Sequence, residues 1–375
     1  MYRPLWIEVN LGNLNKNLRL MKRLLGKSVQ VLATVKQNAY GHGLIPVARK
    51  LSDSGVDFFG VGSLEEAIFL RKAKIKEPVL ILSPLLPLAV KDLLAYRVTP
   101  TVVDLSLARE LNKEACKNNQ ILAVHVKVDT GMGRLGVWHR QAEDFICKLK
   151  NFKNLSLEGL FTHFPVADTD PKFTRCQITF FNSLLERCRA KGIGFKYIHC
   201  ANSSALIKYK EAHFNLVRLG LALYGIKPHK KMSQSLYPVL SLKSKVIFLK
   251  GIERGRSISY GRTYISKRPT SIVTISCGYA DGYPWNLSNK GKVIIKNRFF
   301  KIAGRVCMDH LMADIGNNKE IKTGTEVVLI GKSGNLEITP EYLAKLVNTI
   351  PYEIVSRLSS NIPRIYKYSK AHRKR

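Results

Sequence analysis

The feature that most constrains this chain is a recurrence: short apolar runs, each ended by small or polar residues, return eight times before residue 219. They span Val29–Lys36, Phe58–Gly62, Val79–Ser83, Thr99–Val103, Leu122–Asp129, Leu157–Thr162, Tyr197–Ala201 and Leu216–Arg218. Between most of them lie stretches of helical periodicity, such as Leu64–Lys72 and Asp144–Lys150. Eight strand–helix units in about 220 residues are what a (β/α)8 barrel requires, so the expected fold class is α/β with an N-terminal TIM-like barrel. Pattern alone leaves a doubly wound parallel sheet open as the alternative. In a barrel the functional side chains gather at the C-terminal ends of the strands. Lys36, Arg134, His163, Ser203 and Arg218 all fall at or just past such ends.

The first of these runs is the most informative. Alternating apolar residues over Val29–Val35 predict a buried strand, with Lys36 at its end and the turn-rich Tyr40-Gly41-His42-Gly43 opening a loop. An amine fixed there and partly desolvated has a lowered pKa and can attack an aldehyde. The plainer reading is a surface lysine capping a strand. Upstream, Pro4–Val9 predicts a short strand and Leu14–Leu25 an amphipathic helix capped by Asn13. Beyond about Pro228 the texture changes to β-rich runs, Val239–Leu249, Ser271–Cys277, Lys292–Phe300 and Glu326–Ile330, separated by Gly and Asn-Lys-Gly turns. The expected division is residues 1–235 as barrel and 236–375 as a second, mostly β domain.

Composition bounds the function classes. The net charge of +34 invites a nucleic-acid-binding reading. The basic residues are spread out, however, with only Lys367–Arg375 forming a dense run, and no zinc-finger or RNP-type signature is present. Specific nucleic-acid binding is therefore not expected. No leader-like apolar run opens the chain and no stretch approaches membrane-spanning length, so neither secretion nor a membrane partner is expected. The seven scattered cysteines, an odd number without metal-type spacing, point to reduced thiols in a cytoplasm and to no metal. Cys307 reads most simply as a small buried hydrophobe.

The segment VKQNAYGHG around Lys36 resembles the pyridoxal 5′-phosphate (PLP) attachment motif of alanine racemases. Further segments fit that family in the same order: DTGMGRLG (Asp129–Gly136), THF (Thr162–Phe164), ANSSA (Ala201–Ala205), VRLGLALYG (Val217–Gly225), SYG (Ser259–Gly261), GYADGY (Gly278–Tyr283), RVCMD (Arg305–Asp309) and PYEI (Pro351–Ile354). Together they cover nearly the whole chain. Gln37 departs from the small residue that the family usually carries there. The resemblance implies the barrel, with the extreme N-terminal strand packing on the β domain, and a PLP-dependent interconversion of L- and D-alanine that supplies peptidoglycan synthesis.

PLP requires an amine, donors for a phosphate, a group facing the ring nitrogen, and proton carriers on both faces of the substrate Cα. Lys36 is the amine. For the phosphate, Ser203 and the backbone of Gly220 and Leu221 are suited, and by resemblance Tyr40 and Tyr352 add phenols; Ser203 also reads as a helix N-cap. Arg218, if it faces the ring nitrogen, cannot accept its proton and so weakens the electron sink, which suits racemisation over transamination. As an arginine after a strand it also reads as an ion-pair partner. The resemblance places His163 beside Arg218 and Tyr260, and makes Lys36 the base for D-alanine and Tyr260 the base for L-alanine. It further implies that Arg134 and the backbone of Met308 hold the substrate carboxylate, with Lys127 at a position that some members carry as a carbamate. Tyr264, Tyr279 and Tyr352 are expected to narrow the entrance, and Asp168 and Arg305 to pair across it. A head-to-tail homodimer is implied, with the β domain of one chain covering the barrel of the other. Left open are a broader-specificity racemase, a related barrel decarboxylase, and a non-catalytic PLP or basic binding protein.

Overall fold

The strands of the first region form because their residues are buried on both faces, as parallel barrel strands require. In the computed structural model, which describes residues 2–228, 232 and 235–368, strand β1 (Leu5–Asn10) leads into a helix over Leu11–Leu25. The barrel strands follow: β2 (Gln30–Thr34), β3 (Phe58–Val61), β4 (Val79–Ile81), β5 (Thr101–Val102) and β6 (Leu122–Asp129). After a short side strand, β7 (Val137–Trp138), come β8 (Leu155–Phe161), β9 (Tyr197–His199) and β10 (Leu216–Leu219). They pair in parallel as β10-β2-β3-β4 and β5-β6-β8-β9. A bridge between Leu80 and Thr99 joins β4 to the approach of β5, and the Arg218 amide donates to the Ala201 carbonyl at 3.0 Å across the remaining seam. The circuit is closed, and all eight runs expected from the sequence lie in it.

The intervening helices bury one face against this cylinder. Leu105–Lys117, capped by Asp104 through the Leu107 amide at 2.8 Å, buries Leu107, Ala108, Leu111 and Ala115. The expected helix over Leu14–Leu25 starts earlier, at Leu11, and Asn10, not Asn13, is its cap, accepting from the Asn13 amide at 3.0 Å. Leu11 is fully buried beside Leu14, so the apolar stripe extends one turn further back than the cap signal suggested.

The second region is an antiparallel β structure: β11 (Leu240–Ile252), β12 (Ser257–Ile258), β13 (Tyr264–Ile265), β14 (Thr270–Ile275), β15 (Lys292–Ile295), β16 (Arg298–Ile302), β17 (Leu311–Gly316), β18 (Glu326–Ser333), β19 (Leu336–Ile338) and β20 (Arg364–Lys367). β18, β15, β16, β17, β14 and β11 pair in that order, and β18 also pairs β11, so six strands close on themselves. β1 adds antiparallel to β11, and β20 parallel to β1. The single strand expected over Lys292–Phe300 is instead the hairpin β15–β16. Lys296 and Asn297, both at positive φ (49° and 57°), form the two-residue turn that suits such a hairpin. Helices over Pro340–Val347 and Pro351–Ser356 complete the region. Of the basic run at the C-terminus, residues 369–375 lie outside the described residues. All seven cysteines are free thiols, and no helix among the described residues is long and apolar enough to cross a membrane.

Candidate active site

Lys36 follows β2 by one buried residue, Val35, whose amide still bonds the Gly60 carbonyl at 2.8 Å. The chain then does something the sequence did not announce. Gln37, Asn38, Ala39 and Tyr40 all adopt left-handed backbone, with φ of 53–54°. Each such residue costs about 1–2 kcal/mol, so the turn must be held from outside. Glu66 receives the Asn38 amide (3.2 Å) and the Gly62 amide (2.9 Å), Asn38 Oδ1 receives the Leu44 amide (2.8 Å), and Ala39 is fully buried. Lys36 is thereby anchored at both ends, its Cβ 3.4 Å from the point where a Gly62 side chain would start. Burial lowers its pKa, the Arg134 charge lowers it further, and Glu66 opposes both.

The other barrel residues converge on the same end. Arg218, on β10, is 5% exposed. Its Nη1 donates to His199 Nδ1 and to the His199 carbonyl (both 2.8 Å), and its Nη2 to the Thr162 and Cys200 carbonyls (2.6 and 2.9 Å) and His163 Nδ1 (3.3 Å). Every acceptor is uncharged, and Nε–H has no acceptor among the described residues. Burial brings the guanidinium down to about 10, so it remains a cation at neutral pH. Because Arg218 can only donate, His199 Nδ1 accepts. His199 Nε2 then carries the proton and donates to His125 Nδ1 at 3.0 Å, leaving His125 Nε2–H buried without a partner. Burial first, then the Arg218 charge, pushes the pKa of His163 well below its ordinary value.

Lys127, on β6, is buried with its Nζ 5.5 Å from the Phe161 ring centroid. Its pKa falls to about 8 through burial, then the charges of Arg218, Arg134 and Lys36. Arg134 is exposed on the loop after β6, which Asp129 shapes by receiving the Gly131 and Gly133 amides (2.8 and 2.9 Å). Opposite, Ser203 Oγ receives the Gly220 and Ala222 amides (3.1 and 3.5 Å), and Leu221 begins a short 3-10 turn. Ser203 is not the helix cap: Asn202 is, receiving the Ser204 and Ala205 amides (3.1 and 3.0 Å). A side chain at Gly220 would begin 2.8 Å from the Tyr40 hydroxyl. Two hydroxyls and small-residue backbone therefore meet in a cradle that tolerates no Cβ. Tyr40 packs between Tyr224 and Tyr352, with centroids at 4.9 and 6.0 Å. This donor set suits a phosphate, and Lys36 with the unspent Nε–H of Arg218 suits the rest of a pyridoxal ring.

Tyr260, Tyr264, Tyr279, Arg305 and Met308 lie elsewhere, on the β domain. Tyr260 is 71% exposed and Met308 54%. Ser259 Oγ donates to the Arg305 carbonyl at 2.7 Å and lies 3.4 Å from Cys307 Sγ, while the amides of Tyr279 and Ala280 bond the Cys307 and Met308 carbonyls (2.9 and 3.1 Å). Cys307 is thus half-buried beside Ser259, at the edge of this cluster. The Arg305 guanidinium lies over Trp285 at 5.4 Å and makes no ion pair with Asp168 within the chain. His163 meets Arg218 but not Tyr260. Tyr264 does not reach outward either; its hydroxyl bonds Asp314, and burial with that carboxylate pushes it up to about 12. Tyr352 and Asp168 sit on the margin of the barrel cluster, where burial and the Asp168 charge raise the Tyr352 phenol to about 12. Sequence reasoning missed His199, Glu66 and Asn202. His199 lies inside the run Tyr197–Ala201, which marks its strand but not its bond to Arg218. No group of three metal-ligating side chains occurs among the described residues.

A family model described as the N-terminal domain of alanine racemase matches residues 9–228, and one described as its C-terminal domain matches residues 239–366. An alanine racemase of Carboxydothermus hydrogenoformans is 44% identical over 368 residues, covering 97% of this chain and 100% of the relative. One of Halothermothrix orenii is 41% identical, covering 97% of each. Among solved structures, alanine racemase of Clostridium difficile 630 superposes with a TM-score of 0.93 at 35% identity, covering 98% of this chain and 96% of that one. Alanine racemase of Bacillus anthracis with bound L-Ala-P gives 0.92 at 34%, again covering 98% and 96%.

Proposed function

Since this chain belongs to the alanine racemase family, we propose that it interconverts L- and D-alanine in the cytoplasm with PLP as cofactor, supplying D-alanine for peptidoglycan. The observation that carries the reading is the pairing of a lysine whose pKa is lowered with a buried guanidinium that meets no carboxylate. Bound PLP supplies an aldehyde for the substrate amine and an electron sink for the charge left at Cα. Lys36 would hold the cofactor, with Tyr40, Ser203, Tyr352 and the backbone of Gly220 and Leu221 serving its phosphate. Arg218, oriented by His163 and His199, would offer its Nε–H to the ring nitrogen as a hydrogen bond and, staying charged, would not give up that proton. Arg218 would thereby favour return of the Cα proton over competing chemistry.

Lys36 moves the Cα proton on one face. The lowered pKa keeps more of its amine neutral at working pH. Arg134 and the backbone of Met308 orient the substrate carboxylate, and an uncharged or carbamylated Lys127 would spare Arg134 the repulsion of a neighbouring ammonium. The other face belongs to the Tyr260 phenol. Each site draws on two chains: Tyr260, Tyr279, Arg305 and Met308 of one chain cover the barrel of a second, which keeps its own Tyr352 against Tyr40, in a head-to-tail homodimer. Asp168 and Arg305 then pair between chains.

The test is complementation. A Lys36→Ala chain refolded with a Tyr260→Phe chain gives heterodimers in which one site carries both lesions and the other none. With random pairing of equal amounts, activity should recover from two nearly inactive parents to about 25% of the unmodified enzyme. No recovery would mean that each site lies within one chain, and this reading would fail.

A further inference from the structure

The β-domain face bearing Tyr279 and Met308 is two backbone limbs, 278–282 and 307–309, lying against each other: a side chain at Gly278 would begin 2.0 Å from the Met308 carbonyl. One carboxylate ties the first limb. Asp281, with only 5% of its side chain exposed, receives the Gly278 amide at 2.9 Å, while its own carbonyl receives the Ser359 amide at 3.0 Å. Its cationic partner comes from the far end of the chain. Arg3 grips both Asp281 oxygens through Nη1 and Nη2, each at 2.7 Å. Nη2 also donates to the Asp309 carbonyl at 3.3 Å and lies 3.8 Å from the Asp309 carboxylate. A planar fork with two parallel bonds fixes orientation as well as charge. Arg3 is the only cation paired with Asp281 among the described residues.

We propose that Arg3 is a positioning residue for the reaction: through Asp281 and Asp309 it sets the spacing of the limbs that present Tyr279 and Met308 to the site of the partner subunit. The proposal rests on the composite-site reading above. The chain's third residue thus adjusts a site to which its own barrel contributes nothing. Displacing groups that orient a substrate by about 1 Å can cost 10²-fold, and loosening a limb that stays folded costs less. The expected effect of Arg3→Ala is therefore a rise in KM of roughly ten-fold with a smaller change in kcat, because Met308 meets the substrate carboxylate and not the moving proton. Arg3→Lys keeps the charge without the fork, and should fall between.

The experiment places Arg3→Ala in the two chains of the complementing heterodimer in turn. The working site takes its barrel from the Tyr260→Phe chain and its β domain from the Lys36→Ala chain. On the Lys36→Ala chain, Arg3→Ala should raise KM; on the Tyr260→Phe chain it should leave KM within about two-fold of the control heterodimer, since that β domain serves the dead site. Equal effects from both placements, or none from either, overturn the role of Arg3 while the composite site stands. An inactive control heterodimer overturns the composite site, and this proposal with it.

Discussion

Arg218 is the least ordinary side chain of the candidate site, because a cation that buried has been given five neutral acceptors and no counter-charge. Arg218→Glu would reverse the charge and leave three carbonyls facing a carboxylate. The expected result is a loss of alanine racemisation on the order of 10²–10³-fold or more, the scale seen when a preorganised electrostatic partner is removed. Turnover measured on folded, cofactor-loaded protein checks it, and a parent-like rate would refute the electronic role. That Lys36, His163, Ser203 and Arg218 gather at one end of the barrel was legible because each ends, or falls just past, an apolar run. His199 and Glu66 were not, since each acts on another side chain or amide across the fold, and no local pattern encodes such a bond. Ser203 was half legible: the cap signal of its segment was real but belonged to Asn202 next door.

At the scale of elements, the left-handed turn after β2 is the least ordinary feature. Nothing in Gln-Asn-Ala-Tyr favours positive φ except Asn38, so it could not be read from the sequence; the order comes from Glu66, Leu44 and the packing of Ala39. The turn ends at Gly41, at φ 80°, where a Cβ would lie 2.3 Å from the Val355 carbonyl. Gly41→Ala should therefore lower stability by roughly 1–3 kcal/mol and weaken cofactor retention more than Gly55→Ala, an open glycine at φ 77°. Thermal midpoints and bound-cofactor absorbance for the pair decide it. The hairpin β15–β16 was missed for a related reason: Lys296 occupies a turn position that usually takes Asn, Asp or Gly, leaving a continuous β-rich run to the eye. The eight barrel strands were plain because burial on both faces writes itself directly into composition.

At the scale of the whole molecule, four histidines, three of them fully buried and His163 partly so, make the fold sensitive to acid. Burial holds His42 down to about 4 and His125 to about 3, and keeps His163 and His199 well below their ordinary value. Each stays neutral in the folded chain but takes a proton in the unfolded chain below pH ~6.5, so between there and pH ~4 the unfolded state binds more protons and stability falls as pH falls. The slope should approach about 1.4 kcal/mol per histidine per pH unit. Urea midpoints at pH 7.5 and 5.5 test this, and a midpoint that does not move would show that these rings protonate in place. The other whole-molecule feature is that both chain ends build the β domain, with β1 lying between β11 and β20. A ribosome delivers β1 first, and its antiparallel partner begins only at Leu240. At 5–20 residues per second, roughly ten to fifty seconds pass before that partner exists. Through all of that interval Leu5, Ile7 and Val9 wait as an unclaimed apolar edge on the nascent chain, while the barrel takes shape behind them.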